Sequence, residues 1–260
     1  MESSVSAERW QRAMRGSWAE AGSEAGAMML DGDRIVGAYL AYCSERSIDG
    51  RAERICNLGT WCVLPEYRLH SLRLLKELLG RDFDHFTDFT PSERVVALNR
   101  RLGFEAFGGR SWLVPLVPAA LRPARGRVSA DPAGIVDILG GADLERYRDH
   151  ADAPGLLHLA GERDGASCYV ALRRERRRGI PVLTVLHVSD PGLLRRLSAS
   201  FARQMLLHGR AVAYLVEDHM LERRPLIAVG VPSQQRMIKS DRLTGEQVDY
   251  LYSELSCYDW

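Results

Sequence analysis

Residues Trp61–Leu75 read WCVLPEYRLHSLRLL. The stretch starts as an apolar strand, passes through a Pro-Glu-Tyr-Arg turn, and enters a leucine-rich helix. Proline fixes φ in the turn and, with leucines at helical spacing after it, marks a strand-to-helix transition. Working outward, Ile55–Leu64 is the strand. Ser71–Leu79 is the helix, with Leu72, Leu75, Leu78 and Leu79 on its apolar face and Gly80 as its stop. Upstream, Ala27–Leu30 and Ile35–Cys43 flank Asp31-Gly32-Asp33, a hairpin pattern, and Ile48–Arg54 is turn-like. Val5–Ala21 reads as a helix carrying Trp10, Met14 and Trp18. Downstream, Phe83–Phe89 is a strand, Thr90 caps a helix opening at Pro91, Gly103 ends it, and Ser111–Val117 is a further strand.

The chain has 260 residues, 46% hydrophobic and 27% charged, with net charge +1. This is ordinary globular composition with no electrostatic case for nucleic acid or an anionic membrane. No apolar run approaches the ~18 residues a spanning helix needs. The start, MESSVSAERWQRAMRG, lacks a signal-peptide pattern, which sets the expectation of a cytoplasmic protein. Five cysteines without paired ligand spacing predict reduced core thiols and no metal. Cys62 in particular is expected to be buried and inert. The run Arg173–Arg178 reads as a solvated hairpin end.

Pro118–Pro132 is proline-rich and poor in apolar periodicity. It divides the chain into residues 1–117, a linker 118–132, and a second α/β domain, 133–260. In the second half, Leu156–Gly161 and Ser167–Leu172 flank Asp164-Gly165, and Ile180–Val188 is a strongly apolar strand. Asp190 then caps a helix bearing Leu194, Leu197, Phe201 and Met205, Gly209 ends it, and Ala211–Val216 follows. Each half thus runs hairpin, strand, helix, glycine, strand. The tail DYLYSELSCYDW is aromatic enough that Tyr250, Leu251 and Leu255 should pack back on the core.

Three segments of the first half, in order, resemble the GCN5-related N-acetyltransferase (GNAT) superfamily: DGDRIVGAYLAYCSE, LGTWCVLPEYRLHSLRLLKELL and TPSERVVALNRRLGFEAFG. Leu98–Phe104 fills the last seven places of that family's later motif. The resemblance implies a mixed α/β sheet flanked by helices, and two GNAT-like domains in tandem. It also implies transfer of an acetyl or other acyl group from acyl-CoA, or from acyl carrier protein, to an amine or hydroxyl of a small metabolite. The competing reading is a non-catalytic GNAT-fold binding or scaffold protein. A small-molecule acceptor is the expected partner, with no nucleic acid and no membrane, and a homodimer stays open.

The resemblance also assigns residues. The backbone of Cys62, Val63 and Leu64 would meet the pantetheine arm beside a strand bulge. Arg68, Leu69, His70, Ser71, Leu72 and Arg73 would form the pyrophosphate turn, where unpaired amides at a helix N-terminus hold anions. The family's turn reads Arg-x-x-Gly-x-Gly, and this one lacks both glycines. Ser71 and Arg73 stand in their places, so charge from Arg68, His70 and Arg73 would have to substitute. Ser92 stands at the later motif's leading Asn. Asn99 replaces its tyrosine and can donate a hydrogen bond but not a proton. Glu45, Asn57 and His85 complete the catalytic candidates; Asp88 lies on the same strand as His85, and both also read as ordinary strand-end polar residues.

Overall fold

The computed structural model describes residues 6–14, 16–19 and 25–258. The chain forms two compact units, Met1–Phe107 with Gln235–Val248 and Tyr252–Cys257, and Gly108–Gln234 with Asp249–Leu251 and Tyr258–Trp260.

In the first unit the order is α1 (Ala7–Ala13), β1 (Gly26–Asp31), β2 (Arg34–Ile48), β3 (Arg51–Val63), α2 (Leu72–Leu79), β4 (His85–Asp88), α3 (Glu93–Arg101) and β5 (Glu105–Phe107). The second unit continues with β6 (Arg110–Pro115), α4 (Val117–Ala120), β7 (Arg127–Ser129), α5 (Pro132–Ile138), α6 (Gly141–His150), β8 (Leu156–Arg163), β9 (Ala166–Arg177), β10 (Ile180–Val188), α7 (Pro191–Arg196), α8 (Ser198–Leu207), β11 (Ala213–Glu217) and β12 (Val229–Pro232). The chain then returns to the first unit as β13 (Arg236–Lys239) and α9 (Glu254–Cys257).

The first sheet has the order β1-β2-β3-β4-β13-β5. β1 to β3 form an antiparallel meander, β3 and β4 run parallel, and β13 is antiparallel to both of its neighbours. Tight turns at Gly32 (φ 57°) and at Asp49-Gly50 (φ 51° and 79°) hold the meander. Positive φ at successive residues suits the right-handed strand twist, and glycine adopts it without steric cost. The core packs Tyr39, Leu58, Phe86, Phe104 and Met237 against Leu74, Leu75 and Leu78 of α2.

The second sheet, β12-β6-β11-β10-β9-β8-β7, contains its own parallel pair, β10 and β11. Its antiparallel β8-β9-β10 run, crossover helices and parallel strand repeat the order seen in β1 to β4.

Several expectations are corrected. The strand predicted at Ser111–Val117 is β6, and it pairs with β11 and β12 of the second sheet. Apolar alternation specifies a strand but not its sheet, and here long-range pairing decides. The stretch 118–132 carries α4 and β7, and the divide between the units falls after Phe107 instead. The N-terminal helix ends at Ala13. Trp18 lies in a turn, its indole N–H donating to the Cys43 carbonyl, and part of the predicted helix falls outside the described residues. The buried leucines of α2 are 74, 75 and 78, and Leu72 is exposed. Ser92, in extended conformation, precedes α3 as its N-cap in place of Thr90, whose hydroxyl has another partner. The predicted helix over Leu194–Met205 is broken at Leu197 into α7 and α8. Cys62 is exposed, because it follows a strand irregularity that shifts the alternation of faces.

Candidate active site at the fork of a parallel strand pair

β3 and β4 pair only from Ile55–Asn57 to His85–Thr87, and then separate. Just beyond, β3 bulges: Tyr39 faces Trp61 and Ala41 faces Leu58, so Gly59 and Thr60 stand opposite Leu40 alone. A bulge of this kind bends a strand and ends its pairing. Gly59 is required there, since a Cβ would lie 2.7 Å from the Tyr42 ring, whose hydroxyl is anchored to the Ala13 carbonyl. The β3/β4 ladder ends at Asn57, and β3 runs on through its bulge to Val63. An open strand edge can accept an extended, amide-bearing chain as an added strand.

A buried polar cluster fills the fork. Asn57 Nδ2 donates to Glu254 Oε2 (2.5 Å), and Asn57 Oδ1 accepts from the Thr87 hydroxyl (3.0 Å). The Thr90 hydroxyl donates to Glu254 Oε1 (2.6 Å). Asn99 Nδ2 donates to Asp88 Oδ2 (3.0 Å), and the Thr90 amide donates to Asp88 Oδ1 (3.3 Å). Asp88, Glu254, Asn57 and Asn99 are all 3% exposed or less. Burial and then the nearby Glu254 carboxylate push the Asp88 carboxyl up to about 7. Burial also raises Glu254 above the usual carboxylate range. The physics is desolvation of two like charges that cannot both ionise cheaply. Asn99 Oδ1 has no partner among the described residues, so a protonated Asp88 has an acceptor within reach if the amide rotates.

The other predicted catalytic residues lie elsewhere. His85, at the paired end of β4, contacts Glu53 through Nε2 (3.0 Å), and Arg242 joins the same Glu53 carboxylate (2.6 Å). The His85 hydrogen bond holds Glu53 below its ordinary range despite burial. Glu45 is exposed and faces Arg54 on the ladder, three residues from Asn57. Only Asn57 and Asn99 of the four thus meet at the fork. The carboxylates there are Asp88, which the sequence placed on the same strand as His85, and Glu254, which it did not place.

The turn expected to cradle pyrophosphate is wound into a short 3₁₀ helix, Pro65–His70, continuing into α2. The Ser71 amide donates to Arg68 O (3.1 Å) and the Leu74 amide to Ser71 O (3.1 Å), so these N–H groups are consumed internally. Ser71 has helical dihedrals and makes no side-chain cap. Arg68, Leu69, His70, Leu72 and Arg73 are exposed. The geometry offers side-chain charge to an anion, and no backbone nest like a glycine turn. Val63 and Leu64 are half-buried after the bulge, and the Leu64 amide donates to Val36 O (2.9 Å). Among the described residues no group of three metal-ligating side chains converges.

The second unit has a matching fork that is already filled. β10 bulges at Leu186, and the Leu186 carbonyl accepts from the Tyr250 amide (3.3 Å). The Tyr250 hydroxyl donates to Glu217 Oε2 (2.9 Å), and Tyr250 and Leu251 are fully buried. The tail therefore packs back, as its aromatic composition indicated. It takes the place that an extended ligand would need along β10.

No protein-family model and no curated protein matches this chain. Among solved structures, a GCN5-related N-acetyltransferase from Anabaena variabilis superposes with a TM-score of 0.51 at 13% identity, over 81% of this chain and 61% of that one. A GCN5-related N-acetyltransferase from Kribbella flavida superposes with a TM-score of 0.52 at 17% identity, over 80% of this chain and 58% of that one. This chain thus spans less than two thirds of the length of either structure. Two mixed sheets, each with a forked parallel pair after an antiparallel run, are built here on the fold of the GCN5-related N-acetyltransferases, in a divergent form.

Proposed function

We propose that the first unit transfers an acyl group, acetyl or longer, from a phosphopantetheine-borne thioester to an amine or hydroxyl of a small molecule. The observation that carries this reading is the β3/β4 fork with a buried carboxyl of pKa about 7 at its vertex. A general base works best when its pKa lies near the operating pH. The donor, acyl-CoA or an acyl carrier protein, supplies a thioester carbonyl and a thiolate leaving group.

The edge of β3 after its bulge, Trp61 to Val63, would pair with the amides of the arm. Exposed Arg68, His70 and Arg73 would meet its phosphate, since the Ser71 and Leu74 amides do not. Asp88 takes the acceptor's proton as its nitrogen or oxygen attacks the carbonyl. The carbon–sulfur bond breaks, and the proton passes to the departing sulfur. Asn99 holds the Asp88 carboxyl in place, and Asn57 and Thr90 hold Glu254, whose charge keeps the Asp88 proton affinity high.

A second reading, a binding protein without turnover, is favoured by the consumed turn amides and by Glu254 filling the fork. One experiment separates the two. Acetyl-, octanoyl- and myristoyl-CoA and an acyl carrier protein are titrated by calorimetry, then incubated with an amine panel while free thiol is followed. Binding with turnover that Asp88→Asn abolishes supports the enzyme. Binding without turnover supports the second reading, and absence of any thioester binding would sink both.

A further inference from the structure

The second unit holds a cavity of about 350 Å³ that the fork does not involve. Its floor is apolar: Leu194, Phe201 and Met205 from α7 and α8, with Tyr214 from β11. Its mouth is cationic, lined by Arg122, Arg195, Arg223 and Arg224 against a single acid, Glu222. Arg195 is neutralised by Glu222 (2.5 Å), and Arg224 lies over the Trp112 ring, 4.1 Å from its centroid. No side-chain partner engages Arg122 or Arg223 among the described residues. Leu226 and Ile227, also on the lining, are 91% and 54% exposed.

An apolar chamber with a few charges at its mouth is the usual form of a small-molecule site, and this volume lies at the lower end of the ~300–1,000 Å³ range. The uncommitted charges are guanidiniums, whose planar fork matches a carboxylate in bidentate fashion. We infer that this cavity binds a free medium-chain monocarboxylate, its alkyl chain on Phe201 and Met205 and its head group between Arg122 and Arg223. The inference is independent of acyl transfer in the first unit.

The test uses the full chain and decanoate, titrated by calorimetry, with decanol and decyltrimethylammonium as matched chains of other charge. The expected result is saturable 1:1 binding of decanoate, with decanol weaker by about tenfold or more, the size of a charge-assisted hydrogen bond. The doubly reversed variant Arg122→Glu/Arg223→Glu, on exposed positions where folding is not at stake, loses decanoate binding by at least that factor. It also gains affinity for decyltrimethylammonium. Ala202→Phe, which fills the cavity, weakens decanoate and decanol alike. Equal affinity for decanoate and decanol, indifference to the charge reversal, or binding to anionic lipid vesicles that decanoate does not compete would each overturn the assignment.

Discussion

Asp88→Asn is predicted to stabilise the first unit at alkaline pH while abolishing turnover. The native carboxyl titrates at about 7 against an ordinary value of 3.8. Between these pH values the folded state holds a proton that the unfolded state has released. Stability therefore falls as pH rises through this window, and the full penalty applies above pH 7. At 1.36 kcal/mol per pH unit the penalty is about 4 kcal/mol, an upper value because Asp88 and Glu254 titrate together. Asparagine has the same shape. Its oxygen accepts from the Thr90 amide, and its NH₂ can donate to Asn99 Oδ1, which has no partner among the described residues. The variant should therefore recover about half of the penalty or more at pH 8.5, a rise of several degrees in thermal midpoint. Thermal midpoints are measured from pH 4.5 to 8.5 for both proteins. The wild-type curve should decline across that range more steeply than that of the variant. If Asp88→Asn is less stable than wild type at pH 8.5 and keeps the same slope, Asp88 is ionised across the whole range, its raised pKa is wrong, and the base assignment built on it fails.

Glu254→Ala removes the shared acceptor of Asn57 and Thr90 and orphans two buried donors, so a loss of about 2–4 kcal/mol in urea unfolding is expected. Gly59→Ala forces a Cβ to 2.7 Å from an anchored Tyr42 ring and should destabilise by about 1–3 kcal/mol, and thioester binding along β3 should weaken with it. In the second unit, burial lowers the buried His158, which shares its Nδ1 with the Tyr169 hydroxyl, to about 4. The unfolded histidine binds its proton below about 6.5, so acidification from there to pH 4 should loosen this unit. Hydrogen exchange at pH 5 against pH 7.5 should then show the second unit less protected at pH 5 and the first unit more so. The same direction in both units would contradict one of the two assignments.

Local chemistry made much of the first sheet legible. Asp31-Gly32-Asp33 turns where it should, Pro65 opens the turn, Gly80 follows α2, and Gly103 at φ 86° follows α3. The bulge in β3 lies in the strand that the strand–turn–helix motif marked, and α3 ends at the glycine of LNRRLGF. What stayed hidden depends on partners far along the chain. Glu254 lies 197 residues from Asn57, and β13 enters the first sheet between two strands that close some 130 residues earlier. No local pattern carries such pairings. One signal was readable: Glu254 lies between Tyr250 and Leu255 in a tail whose aromatic and apolar residues demand burial, so burying the tail carries a carboxylate inward. His85 drew attention because histidine titrates near neutrality, but Glu53 and Arg242 occupy that end of β4 as an ion-pair group. Burial next to a second carboxylate gives Asp88 the same titration range without an imidazole.

The strongest argument that the fork is a working site is energetic. Two carboxyls at 3% and 2% exposure carry a desolvation cost, and among the described residues no salt bridge reaches either of them. Arg236 acts on Glu254 only as the smallest of its influences. An asparagine at position 88 would avoid the penalty while keeping the hydrogen bond from the Thr90 amide. The second unit makes the contrast within one molecule. Its corresponding fork carries the buried acid Glu217, held by the Tyr250 and Ser233 hydroxyls with His219 Nδ1 3.7 Å away, and its strand bulge is occupied by the chain's own Tyr250 amide. One fork is thus satisfied and closed, while the other keeps a pair of desolvated acids where the β3/β4 ladder ends. Destabilised ionisable groups concentrate where a protein does chemistry. If the first fork were equally a structural plug, replacing Asp88 by Asn would raise stability and alter no ligand-dependent property. A gain in stability coupled to a loss of thioester turnover is the result that only a catalytic fork predicts.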